Sequence, residues 1–156
     1  MTSSVPSATP RVLIVGSDSP PSLESSYARA LRGLGCAVHF WEPMAALYGV
    51  ARGRRFGRLF STFVQVEPWL RKSNLELLQL ADDMRPDLVL VIGTGAVQGG
   101  TLAQLRVRHP RCLVYCLFPD SPHMLDTARI HCLPFFDRVT VSSPAWVEAL
   151  ARFGAR

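Results

Sequence analysis

The residues best equipped for chemistry lie just past apolar runs. Pro119, Asp120, Ser121, Pro122 and His123 follow the run Cys112–Phe118, and a rigid turn flanked by the two prolines would hold the Asp120 carboxylate at the sheet rim, with His123 close enough to share a site. An acid and an imidazole so placed suit a general base, or an acid that binds the hydroxyl of a sugar. The same residues also suit an Asx-turn or helix cap, in which Asp120 receives backbone amides. Three further apolar runs end in small or polar residues: Gly16, Ser17, Asp18 and Ser19; Gly93, Thr94 and Gly95; Ser142 and Ser143. Loops of this composition let backbone amides and hydroxyls approach a polyhydroxylated or phosphorylated ligand, and structural turns use the same residue types.

Several other chemistries are testable on the residues alone. Glu42 suits a ribose hydroxyl, but the first turn, Gly16-Ser-Asp-Ser-Pro-Pro21, has one glycine where a dinucleotide fingerprint needs three. Its prolines also stand where a helix should present amides. No P-loop, nucleophile elbow or H-E-x-x-H pair is present, and no cofactor is expected. Cys36, Cys112, Cys116 and Cys132 form no C-x-x-C pair. They read as buried reduced thiols, Cys112 and Cys116 on one face of a strand, and no metal site is expected. The net charge of +5 is carried almost wholly by arginine, with Arg52, Arg54, Arg55 and Arg58 clustered. That cluster with Phe56, Leu59 and Phe60 suits docking on an anionic membrane surface, or else a solvated basic loop; nucleic acid is not expected.

These loops need strands to carry them. Val12–Gly16, Ala37–Trp41, Asp87–Gly93, Cys112–Phe118 and Asp137–Ser142 read as strands, the first, third and fourth as continuous apolar runs of the kind buried in parallel sheets. Helical spacing starts near Ser22, with Leu23, Tyr27, Leu31 and Leu34 on one face and Gly35 as the stop. Further helices are predicted over Asn74–Met84, Thr101–Val107 and Pro144–Phe153. The stretch 43–70 is the least legible, with a short strand expected around Phe63–Val66. Strands alternating with helices predict an α/β fold, a Rossmann-like open parallel sheet with helices on both faces. In such sheets ligands bind beyond the carboxyl ends of the strands, where all the loops above fall.

The chain has 156 residues, 48% hydrophobic and 19% charged, which suits one globular domain. Residues 1–10 are expected to be a disordered extension and 11–156 the domain. The longest apolar stretch, Leu88–Ile92, is far short of the ~20 residues of a membrane span. The opening has no basic start and no apolar block, so a cytoplasmic location is expected, with at most peripheral membrane contact.

The motifs in order carry a resemblance. VLIVGSDSPPSLESSYARALRGLGCAVHFWEP resembles the opening of GT-B glycosyltransferases. Asn74 in a leucine-rich helix, PDLVLVIGTG, LVYCLFPDSP and FFDRVTVSSPAWVEALARFGA look like the amino-terminal region of the spore-maturation CgeB-like family. The resemblance runs from about Arg11 to the end. It implies one half of a GT-B architecture: the acceptor-binding half of a transferase that uses a nucleotide-sugar donor. Asp120 would match the family's acid, and Gly16 and Gly93 its strand-end turns. The partners implied are a glycan, lipid-linked or protein acceptor, and a second Rossmann-like domain in cis or in trans. The alternative is a non-catalytic ligand- or partner-binding module of the same fold. A small nucleotide-dependent reductase is disfavoured by the first turn.

Overall fold

The computed structural model describes residues 9–43, 66–93, 96–119 and 127–156. Among them run β1 (Arg11–Val15), α1 (Leu23–Gly33), β2 (Ala37–Trp41), α2 (Val66–Met84), β3 (Leu88–Ile92), α3 (Gly99–Arg108) and β4 (Leu113–Phe118). A short α4 (Thr127–Cys132), a 3-10 turn (Leu133–Phe135), β5 (Arg138–Val141) and α5 (Ala145–Ala151) complete the order. The five strands form one sheet in the order β2-β1-β3-β4-β5, every pair parallel. That order reverses between β1 and β3, the doubly wound arrangement called flavodoxin-like. The expected α/β class and the parallel pairing of β1 with β3 are therefore present.

The strand alternation sorts the core into two layers. Leu13, Val15, Val89, Val91, Val114, Cys116 and Phe118 face α2 and α3, where they meet Leu77, Leu78, Ala81, Leu102 and Leu105. Val12, Ile14, Leu90 and Ile92 face the other way, against Ala28 of α1. Cys112 and Cys116 do share a face, and Cys112, Cys116 and Cys132 are buried free thiols, while Cys36 is half-buried.

Local chemistry fixes the ends of α1. The Ser25 amide donates to the Ser22 hydroxyl at 3.1 Å as an N-cap. At the other end Gly35, at φ +84, donates to the Arg32 carbonyl while Cys36 donates to that of Leu31, both at 3.0 Å. This pair of bonds is a Schellman stop, and it needs a residue at ease in the left-handed region.

Two expectations change. Val66 opens a helix of 19 residues, of which only the last part, from Asn74, was expected, while residues 63–65 of the expected strand lie outside the described residues. Pro68 is tolerated there because the first turn of a helix has no amide acceptors to lose. The last helix is shorter than Pro144–Phe153, and α4 with its 3-10 turn was not expected at all. After α5 the chain doubles back along the outer edge of the sheet, where the Val139 amide donates to the Arg156 carbonyl at 2.8 Å. Of the expected extension, residues 1–8 lie outside the described residues. No helix among the described residues is long and apolar enough to cross a membrane.

Candidate functional site

The rim at the carboxyl ends of the strands carries the expected loops in sheet order. Gly16 and Gly93 stand on neighbouring strands at the order reversal, and their amides donate to the Trp41 and Leu117 carbonyls at 3.1 and 3.2 Å. Gly93 turns the chain at φ +61, in the left-handed region that glycine enters without cost. Ser142 and Ser143 follow β5, two strands beyond β3, roughly 10 Å along the rim at ordinary strand spacing. Thr94, Gly95, Asp120, Ser121 and His123 lie outside the described residues, as do Arg52, Arg54, Arg55 and Arg58.

The first loop is built largely by its own serines. The Ser22 hydroxyl donates to the Ser17 carbonyl and the Ser25 hydroxyl to the Ser19 carbonyl, both at 2.9 Å, so α1 holds the loop from beneath. The Ser19 amide reaches the Ser17 hydroxyl at 3.4 Å. Asp18 is exposed, as is Glu42 at the end of β2. Ser143 offers its carbonyl to the Trp146 amide at 3.1 Å, opening α5, and Ser142 is exposed. Among the described residues no three His, Cys, Asp or Glu side chains group as metal ligands would.

A cavity of about 430 Å³ lies elsewhere, between α2 and the start of α3. Its geometry depends on Asn74, 2% exposed in the apolar face of α2. The Asn74 amide nitrogen donates to the Leu70 and Ala96 carbonyls at 2.8 and 2.9 Å, and its oxygen accepts from the Gln98 amide at 3.0 Å. All three bonds hold in one orientation of the amide only, since a flip would set its oxygen against two carbonyls. Asn74 thus ties the segment before α3 to α2 and fixes where α3 begins. Glycine suits position 99, because a Cβ would stand only 3.0 Å from the His131 carbonyl oxygen, a tight contact to which the backbone would have to yield. Sequence reasoning placed Asn74 only within a leucine-rich helix and passed over Gln98, Gly99, Gly100 and Thr101. The signal was available: two glycines and a threonine opening a helix after a buried strand.

Electrostatics elsewhere are structural. Asp137 accepts from the Val114 amide and from Arg106, bracing the start of β5 against β4 and α3. Burial by itself would raise its carboxyl, but these two donors outweigh it and hold the group below the ordinary 3.8. Burial pushes the Cys116 thiol up to about 12 and that of Cys112 to about 11.

No protein-family model and no curated protein matches the chain. Among solved structures it is similar to the signal receiver domain of an HD domain-containing protein from Pseudomonas fluorescens Pf-5. The identity is 15%, the match covers 94% of this chain and 87% of that one, and the TM-score is 0.47. So distant a likeness assigns this chain no activity. The expected CgeB-like identity finds no support in any of these comparisons: no family model or curated protein matches, and the similar structure is a receiver domain. The CgeB-like reading is withdrawn, and with it the nucleotide-sugar donor and the glycan or lipid-linked acceptor.

Proposed function

We propose that this chain is a non-catalytic, cytoplasmic module that binds a partner protein through the α1 side of its sheet. The observation that carries this reading is a half-covered sheet face. Helix α1 covers β1 and β3 there, burying Val12, Ile14, Leu90 and Ile92. Over β4 and β5 the same face carries Leu113, 52% exposed, with Tyr115 and Leu117 half-buried and Arg138 and Thr140 exposed. The near flank of α1 adds Leu23 and Tyr27, both exposed. Two strands span roughly 10 Å, which is the width of one α-helix.

The occupant is an amphipathic helix of a partner with an acidic edge. Apolar residues in a continuous strip favour such a helix over a polar ligand. Its charge is set by Arg138, which lies opposite Tyr115 in the register and has no side-chain partner among the described residues. The free cysteines suit a reducing compartment.

The test uses two synthetic helical peptides with the same leucine face, one edged with Glu and the other with Lys. The Glu peptide should bind and shift the amide resonances of Leu113, Tyr115, Leu117 and Tyr27. Leu113→Glu should abolish this binding, and Arg138→Glu should reverse the preference. Binding that ignores both substitutions, resonance shifts confined to another face, or concentration-dependent pairing of the chain through this strip would each overturn the reading.

A further inference from the structure

The cavity between α2 and α3 is lined by polar groups whose hydrogen-bonding capacity the fold leaves unused. In the first turn of α3 the Thr101 and Leu102 amides both turn back to the Gln98 carbonyl, while the Gly99 and Gly100 amides meet no acceptor among the described residues. This helix has ten residues and no side-chain N-cap, so no cap among the described residues offsets the positive end of its dipole. Thr101 lines the same cavity. It is 5% exposed, yet its hydroxyl has no hydrogen-bond partner among the described residues. The residue is almost wholly buried but its hydroxyl oxygen is not sealed off, so the cavity that Thr101 lines is where a partner could reach it.

Charge and sterics point the same way. Among the described residues the lining includes Arg71 and His131, both exposed, and no Asp or Glu. Gly100 is not demanded by packing, since a Cβ there would meet nothing within 4 Å. It is also a poor helix former. A bare backbone here leaves both amides open to close approach, whereas Gly99 is explained by the His131 carbonyl alone.

We propose that this cavity binds the phosphate group of a small phosphorylated molecule, held by the Gly99 and Gly100 amides and the Thr101 hydroxyl. Three donors on consecutive residues, at the positive end of a helix, match the several oxygens of one phosphate. The cavity is larger than a phosphate, and Leu75, Leu78 and Val97 give its remaining wall an apolar character that suits the organic part of the ligand. Asn74 is a positioning residue for this site, because it holds the Gln98 amide and hence the start of α3.

The site is independent of the partner-binding face, so its test can fail alone. Inorganic phosphate, acetate and chloride are titrated into the intact chain while the amide resonances of residues 99–101 are followed. Phosphate should shift them saturably, and acetate and chloride should do so far less. Thr101→Val removes the hydroxyl but keeps the shape. It should leave the free protein as stable or more so and weaken phosphate roughly tenfold or more, the usual worth of a hydrogen bond to a charged group. Gly100→Ala should raise the helix's stability and also weaken phosphate. The proposal is overturned if phosphate gives no saturable shift at these amides, if acetate or chloride matches it, or if Thr101→Val leaves binding unchanged in a folded protein.

Discussion

Replacing Asn74 should separate the structural demand of the fold from helix propensity, because alanine is the better helix former. Asn74→Ala leaves the Leu70 carbonyl with its own helical hydrogen bond but strips the Ala96 carbonyl and the Gln98 amide of their partner. Each buried orphan costs about 1–3 kcal/mol. Asn74 borders the cavity, and water entering there would recover part of that, so the net loss is about 3 kcal/mol. In a domain of this size it corresponds to a fall in melting temperature of about 6–12 °C. Asn74→Asp tests the direction of the bonds. A carboxylate still accepts from the Gln98 amide but faces two carbonyls to which it cannot donate, so its folded pKa rises above its unfolded value. Its stability is then best below the unfolded pKa and is lost as pH rises through the folded one. Thermal melts of both variants at acid and neutral pH are the assay. A loss below about 1 kcal/mol for Asn74→Ala, or an Asn74→Asp deficit that does not grow with pH, would refute the account of this tie.

Asp137 makes the opposite pH prediction. Its lowered carboxyl pKa contributes stability that is present above 3.8 and is lost as pH falls through the folded value, so Asp137→Asn should flatten the acid limb of the stability curve. An unchanged acid limb in urea titrations would contradict it. The Cys116 and Cys112 thiols, pushed up to about 12 and about 11, should resist alkylation in the folded protein and react once it is denatured; mass spectrometry reads both. Fast labelling of Cys116 in the native protein would show that its strand is not packed as described.

The sheet was legible because its central strands are buried on both faces, and Leu13–Val15 and Val89–Ile92 leave no other reading of a short apolar run. The first turns of α2 were not legible, because Val66 is β-branched and Pro68 ordinarily breaks a helix, so neither announces one. Tertiary contact decided it, through Leu77, Leu78 and Ala81 docking on β1 and β3. Asn74 was visible as a polar residue among leucines, but its partners Ala96 and Gln98 lie 22 and 24 residues away, beyond any local pattern.

The same physics explains why the glycosyltransferase resemblance misled. Its motifs were buried strands, glycine turns at their ends, and the stop Leu31-Arg-Gly-Leu-Gly35. The last is a Schellman motif that closes a helix wherever one must end before a parallel strand. Such features are required of any doubly wound sheet, so they report the fold and carry no information about a reaction. What distinguishes this chain lies where the general pattern is incomplete. Leu113, Tyr115 and Leu117 alternate as a core strand should, yet Leu113 is exposed and Tyr115 and Leu117 only half-buried, and among the described residues no helix lies over them. Periodicity specifies which side chains face a layer, but whether a helix arrives to cover them depends on where the next element ends. The features from which function is proposed here, an open strip with an arginine and a helix start with donors that meet no partner among the described residues, are therefore properties of assembly rather than of any local run of residues.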